Sequence, residues 1–389
     1  MSRPIELLIP ASSLEVLKTA VIFGADAVYI GGEAFGLRAK AKNFSMEEMK
    51  EGIEFAHAHN VRVYVTANIL AHNDDLEGVR EYFEELREIK PDALIIADPG
   101  VFEIAKEVCP EIERHISTQA NNTNYATYNF WYRQGASRVV SARELSLKEI
   151  KEIRERIPED LEIETFVHGA MCYSYSGQCL MSSLVGGRSG NRGRCAQPCR
   201  KCYNNSYLLS MKDMCALSLI PDLIDAGIDS LKIEGRMKNA YYVASAVHAY
   251  RTMVDDYLQG KFDKKKAEAL TFELANIYNR GGFSDGYFFR HNGAGMISKT
   301  RPNNQGVAVG RLERIENGTI TLKLTEAVFR QDVLELLTKS GEIVEITSSK
   351  EENAGQYLTL NCPKTKQLQK EQLVYRTKCP KILQHVQED

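Results

Sequence analysis

The chain has 389 residues, more than one ordinary domain; a (β/α)8 barrel of about 250 residues with an appendage of about 100 accounts for it. Hydrophobic residues make up 43% and charged residues 26%, the balance of a soluble globular protein, which excludes a disordered chain. Lys and Arg number 49 against 52 Asp and Glu, a net charge of −3, so any contact with nucleic acid must run through a local basic patch.

From residue 5 to about 256, short β-branched runs alternate with amphipathic stretches, the pattern of βα units around a parallel sheet. Eight strands are expected, at Ile5–Ile9, Ala27–Ile30, Arg62–Thr66, Ala93–Ala97, Arg114–Thr118, Arg138–Ser141, Glu162–Val167 and Ser230–Ile233. Three intervening helices open with Ser-x-x-Glu, at Ser12/Glu15, Ser45/Glu48 and Ser146/Glu149, where hydroxyl and carboxylate satisfy orphan backbone N–H groups. Eight units close a barrel and fewer leave an open sheet, so the expected fold is α/β, a TIM-type (β/α)8 barrel over residues 1–260. Its chemistry would sit beyond the strand C-termini, which carry Arg38, Asn68, Asp98, Gln119, Arg143, His168, Glu234 and Arg236. The plain alternative for each of these is a solvated loop or a helix cap.

The rhythm breaks once. About sixty residues, Gly169 to Asp229, separate the seventh strand from the eighth, and loops of that length in compact domains are usually functional. A connector over residues 261–300 follows the barrel, with a charged helix from Asp263 to about Tyr278. Residues 301–389 then alternate in short runs, Thr319–Leu324 after the hairpin signal Asn317-Gly318, Val333–Leu337, Tyr357–Leu360 and Leu373–Tyr375, which predict a small β-barrel or sandwich. No stretch approaches the roughly 18 to 20 apolar residues of a membrane span, and no signal-peptide pattern opens the chain, so a cytoplasmic location with no membrane partner is expected.

Nine cysteines are an odd choice for disulfides in a reducing compartment, and six of them fall between Cys172 and Cys215. Cys172, Cys179, Cys195 and Cys199 form C-x6-C-x15-C-x3-C at the mouth of the expected barrel. Four thiolates can hold a structural Zn²⁺ or an iron–sulfur cluster, and spacing alone decides poorly between them. The surrounding Tyr173, Tyr175, Gly177 and Met181 suit a partly shielded cluster. Cys195, Cys199 and Cys202 also make C-x3-C-x2-C, the triad of radical S-adenosylmethionine enzymes, but that triad follows a first barrel strand and has an aromatic before its last cysteine, where this chain has Lys201. There is no Gly-x-Ser-x-Gly elbow and no His-Glu-x-x-His helix. A Cys172/His168 pair is a conceivable nucleophile and base.

The segment from Glu164 to Ser182 fills every fixed position of E-x-F-x2-G-[SA]-[LIVM]-C-x4-G-x-C-x-[LIVM]-S. On that match the chain resembles the collagenase-like peptidase family of unknown catalytic type. Ala25–Gly32, Asn191–Arg200, Leu209–Asp213, Lys232–Arg236 and Arg280–Gly286 also look like the family. What the resemblance implies is oxygen-independent hydroxylation more than proteolysis. Members carry an iron–sulfur cluster and act on ubiquinone precursors, on a ribosomal RNA cytidine or on the wobble uridine of tRNA. The RNA-directed members depend on prephenate, and this chain looks most like the tRNA uridine hydroxylases. Carried over by motif, a 4Fe-4S cluster would be held by Cys172, Cys179, Cys195 and Cys199, with Cys202 able to substitute for the fourth.

On this reading prephenate occupies the barrel mouth and meets guanidinium forks from Arg38, Arg143, Arg192 and Arg236, with Asn68 and Gln119 alongside. His168, Glu234 and Arg236 are the catalytic nominees, the first two as acid and base; the plain alternatives are a satisfied histidine and a Glu234–Arg236 ion pair. Arg188, Arg192, Arg194, Arg200 and Lys201 put five positive charges within fourteen residues, a basic patch for tRNA phosphates or else a solvated loop. Tyr173 and Tyr175 are candidates to stack a base. Ribosomal RNA or a small aromatic as substrate, and a peptidase, remain alternatives, and the need for a related second subunit is left open.

Overall fold

The computed structural model describes residues 5–36, 43–289 and 293–382. Strands and helices alternate as β1 (Glu6–Pro10), α1 (Leu14–Ile22), β2 (Ala27–Ile30), α2 (Met46–Ala58), β3 (Arg62–Ala67), α3 (Leu76–Ile89), β4 (Ala93–Ile96), α4 (Pro99–Val108), β5 (Glu113–Ile116), α5 (Tyr125–Gln134), β6 (Arg138–Val140), α6 (Leu147–Glu155) and β7 (Glu162–Ala170). An insertion with α7 (Met181–Gly186) and β8 (Asp213–Cys215) precedes α8 (Ile220–Asp225), β9 (Ser230–Ile233), α9 (Ala240–Leu258) and α10 (Lys264–Ile277). β1 to β7 and β9 run parallel, and β9 pairs with both β7 and β1, so the eight strands close a TIM barrel. The apolar outer face of the sheet and the inner faces of the helices form one continuous core, which α10 joins through Ala267, Leu270 and Leu274.

Helix starts follow local chemistry. Ser45/Glu48 and Ser146/Glu149 form reciprocal capping boxes at α2 and α6. The third expected box is corrected: Ser13 caps α1, while the Ser12 hydroxyl donates to the Lys238 carbonyl at 3.2 Å.

The barrel interior is partly ionic. Arg138 binds Glu164 at 3.0 Å, Glu162 through Nε at 2.8 Å, and Glu6, while Lys232 holds the other Glu164 oxygen at 2.7 Å. Burial alone would neutralise Glu164, but Lys232 and Arg138 keep its carboxyl below the usual carboxylate range.

β7 carries the feature that shapes the mouth. Phe166 pairs with Lys232 but His168 pairs with Ile233, so β7 has one extra residue here and its side chains change face. Beyond this bulge β7 pairs antiparallel with β8, which in turn pairs with the short β10 (Phe283–Ser284). Neither short strand has a run long enough to show in the sequence.

The tail is a six-stranded antiparallel half-barrel of β11 (Val307–Glu316), β12 (Thr319–Leu324), β13 (Val333–Leu337), β14 (Ile343–Thr347), β15 (Tyr357–Asn361) and β16 (Leu373–Lys378), in the order β14-β13-β16-β11-β12-β15. Asn317-Gly318 makes the β11–β12 turn, with Gly318 at φ 78°. Alternate residues such as Val309, Leu322, Leu334 and Val374 fill a core of its own. Buried Arg376 ties the tail to α10, donating to Asn276 Oδ1 at 2.9 and 2.8 Å and to Asp332 at 3.0 Å.

Candidate active site at the barrel mouth

A cavity of about 490 Å³ opens at the C-terminal ends of the barrel strands. Asn68, Gln119, Arg143, Glu234 and Arg236, all nominated from the sequence, line it together with Tyr29, Thr66, Ser117, Phe166 and Lys232. Arg236 is buried and donates to Thr66 Oγ1 and Asn43 Oδ1, both at 3.0 Å. The Arg143 guanidinium lies 4.0 Å from the Phe166 ring centroid, and the Lys232 ammonium 4.5 Å from that of Tyr29.

On the opposite wall Asn68 Nδ2 and the Ser117 hydroxyl both donate to Gln119 Oε1, the former at 3.3 Å. Asn68 Oδ1 and Arg143 Nε are buried with no hydrogen-bond partner among the described residues. Groups so placed are satisfied by a ligand or by water, and one acceptor facing a cationic surface suits a small polyoxygenated anion. Glu234 accepts from the Tyr29 hydroxyl at 3.3 Å and from the Gly235 N–H at 2.8 Å, so the Glu234 carboxylate is held at the rim by its own loop.

The cysteine insertion sits beside this mouth: Gln178 Nε2 donates to the Gln119 carbonyl at 2.6 Å, and the Leu70 N–H donates to the Asn191 carbonyl at 3.1 Å. Cys172 is exposed, while Cys179, Cys195 and Cys199 are half-buried. Burial pushes the Cys199 thiol up; Arg200 opposes this, and the neighbouring charges of Cys172, Cys195 and Cys179 add to it. The charges of Cys172, Cys195 and Cys179 all act on Cys199, so these four cysteines are neighbours. Backbone N–H groups already point at two sulfurs, Met181 to Cys179 at 3.4 Å and Gln197 to Cys195 at 3.3 Å. Among the described residues no three His, Cys, Asp or Glu side chains gather closely enough to clasp a single metal ion. Four cysteines on one insertion, two of them met by backbone N–H groups, are donors of the kind an iron–sulfur cluster would take.

The family model described as Peptidase family U32 matches residues 12–298. The chain belongs to this family. It is 45% identical over 269 residues to "tRNA hydroxylation protein P1" of Bacillus subtilis, a match spanning 65% of this chain and 63% of that protein. It is 39% identical over 339 residues to "tRNA hydroxylation protein P" of Helicobacter pylori 26695, covering 82% and 78%. To the Escherichia coli "23S rRNA 5-hydroxycytidine C2501 synthase" it is 35% identical over 372 residues, covering 91% of this chain and 56% of that protein.

Other nominations in this U32 chain change meaning in three dimensions. His168 is corrected as an acid or base at the mouth: the β7 bulge turns it away from the cavity into a box of Tyr242, Tyr250 and Phe283. It is 2% exposed, and burial, helped by the charge of Lys238, pushes it down to about 3, so it is neutral and enclosed. A Cys172/His168 nucleophile pair has no support there, since the hydrogen-bond neighbour of His168 Nδ1 is Tyr250, at 3.4 Å. Arg192 is corrected as a substrate ligand, because it is spent on Asp75, with Nη2 2.6 and 2.8 Å from the two carboxylate oxygens. Arg200 is corrected as a phosphate contact: it is turned inward, donating to Met171 O at 3.0 Å, Ser210 Oγ at 2.9 Å and Met211 O. Arg194 and Lys201 are exposed and Arg188 is half-buried. Arg38 lies outside the described residues. Asp98 caps α4.

Lys232, Tyr29, Thr66 and Ser117 were missed as lining residues. The period of two through Lys232, Glu234 and Arg236 was the available signal for Lys232; the others depend on neighbouring strands.

Proposed function

We propose that this chain hydroxylates C5 of the wobble uridine of tRNA without molecular oxygen, taking prephenate as co-substrate and carrying a 4Fe-4S cluster. One observation carries the reading: a cationic cavity lined by polar atoms without a partner among the described residues lies at the barrel mouth, beside an insertion that carries Cys172, Cys179, Cys195 and Cys199. Bound by those four thiolates, the cluster supplies redox chemistry that Zn²⁺ lacks.

The remaining work falls to the chain's own side chains. Arg143 and Arg236 offer forks to the carboxylates of the co-substrate, and Asn68 Oδ1 accepts its hydroxyl. Glu234, at the rim, is placed to take a proton from the pyrimidine. Tyr173 and Tyr175 stand 52% and 56% exposed beside the first cysteine, where an unstacked base can rest on them. An anticodon loop presents its bases already single-stranded, so little flipping energy is needed. Arg188, Arg194 and Lys201 face its phosphates.

Anaerobic purification with iron and sulfide quantitation tests the cluster, and mass spectrometry of tRNA nucleosides from a deletion strain, with and without prephenate synthesis, tests the substrate. Intact 5-hydroxyuridine in the deletion strain would refute the assignment. Incorporation of one oxygen into ribosomal RNA instead would move it to the other RNA substrate.

A further inference from the structure

A second cavity of about 1170 Å³, more than twice the 490 Å³ of the mouth, lies between the barrel and the tail. Its walls are the loop after β9 with the start of α9, the end of α10, and the end of β16. Arg236 lines the mouth and Met237 lines this groove, so the two cavities share the loop after β9 as a common wall.

The groove has a marked chemistry for a chain of net charge −3. Its lining includes Lys238 and Lys378 and three tyrosines, Tyr241, Tyr242 and Tyr278, and among the described residues no Asp or Glu. The two carboxylates that influence Lys238 are turned elsewhere: Asp213 is engaged by Arg280, and Glu234 lines the mouth. Lys238 Nζ sits 2.7 Å from the Tyr278 ring centroid, and the Arg280 guanidinium 5.0 Å from the same ring. Burial and the charge of Arg280 together push the Lys238 amine down to about 7, against the pull of Asp213 and Glu234. Lys378 is exposed and Tyr241 is 39% exposed. Cations beside stacking rings, without carboxylates, complement a nucleic-acid strand and not an acid-bearing peptide.

We propose that this groove holds the strand of the substrate RNA that flanks the reacting nucleotide, with phosphates against Lys238 and Lys378 and a base on Tyr241. The inference rests on RNA being the substrate. It also gives the tail a role, since β16 supplies one wall of the track that leads across the loop after β9 into the mouth.

The test uses the full chain, an unmodified tRNA transcript and binding titrations across a salt series. Lys378→Gln should weaken binding about three- to tenfold at 0.1 M salt and lower the slope of log K against log salt by about 0.7 to 0.9, the value for one lost phosphate contact. Tyr241→Ala should weaken binding about fivefold or more with the slope unchanged, as loss of stacking requires. Lys151→Gln, an equal charge change on the exposed side of α6, is the control and should leave both quantities as in the parent. If Lys378→Gln and Tyr241→Ala bind like the parent, the groove is not an RNA site although the enzyme reading stands. If the parent itself holds no tRNA, both fall.

Discussion

The guanidinium of Arg236 lies against the bare α-carbon of Gly31, where a Cβ would come within 2.6 Å of Cζ and 2.7 Å of Nη1. Gly31 follows β2 directly, and its missing side chain is the space in which Arg236 reaches Thr66 and Asn43. Gly31→Ala should therefore displace Arg236 as effectively as a change at Arg236 itself. The expected outcome is a drop in kcat/KM for tRNA hydroxylation of about 10²-fold, near 2.7 kcal/mol, with a stability loss of about 1–3 kcal/mol from overpacking. Arg236→Lys, which keeps the charge but loses the fork, should raise the prephenate concentration for half-maximal rate about tenfold with little change in Tm.

Cysteine variants separate the fourth ligand from its neighbour. Cys199 is half-buried and acted on by Cys172, Cys179 and Cys195, while Cys202 is exposed. Single Ser variants at Cys172, Cys179, Cys195 and Cys199 should each lose iron and sulfide in anaerobic preparations, and Cys202→Ser should retain both. Iron loss confined to Cys202→Ser would reverse the ligand assignment.

Arg200 and its basic neighbours should fail in different ways. Arg200→Ala strands three buried acceptors and should cost about 2–4 kcal/mol in chemical denaturation. Arg194→Ala and Lys201→Ala should leave stability within about 0.5 kcal/mol and lower the salt slope of tRNA binding.

Acid should unfold the barrel in a window set by two buried groups. His168 is held at about 3 by burial and Lys238, below its ordinary value of 6.5, so its contribution is full above pH 6.5 and is lost as pH falls toward 3. Burial opposes ionisation of Glu6, but Arg138, Tyr64 and Ser230 more than compensate and hold it at about 2 instead of 4.5. The Glu6 contribution is therefore lost between pH 4.5 and 2. In circular-dichroism denaturation series, His168→Gln should remove a dependence of about one proton between pH 6 and 4, whatever its stability at neutral pH.

Asp75 and Arg192 join the loop after β3 to the cysteine insertion. A double-mutant cycle with Asp75→Asn and Arg192→Gln should give a coupling of about 0.5–1 kcal/mol, as for a partly exposed ion pair. The double variant should retain iron no worse than either single one.

The alternation of β-branched runs with capped helices placed all eight barrel strands within three residues at each end, because strand and helix periods are written in neighbouring residues. The cysteines were legible for the same reason: their spacing and the segment from Glu164 to Ser182 are properties of one stretch of chain. Five mouth residues, Asn68, Gln119, Arg143, Glu234 and Arg236, followed from a rule about strand ends. What the sequence could not express was which way a side chain turns once distant elements meet it. One extra residue in β7 sends His168 into aromatic packing, Asp75 claims Arg192 from 117 positions away, and backbone carbonyls on two segments claim Arg200. The groove beside the tail belongs to the same class, since its walls come from three elements that only the packing of α10 against β16 brings together. Local order is encoded in spacing, whereas the partner of a buried charge is set by whichever acceptor the closed barrel leaves within reach.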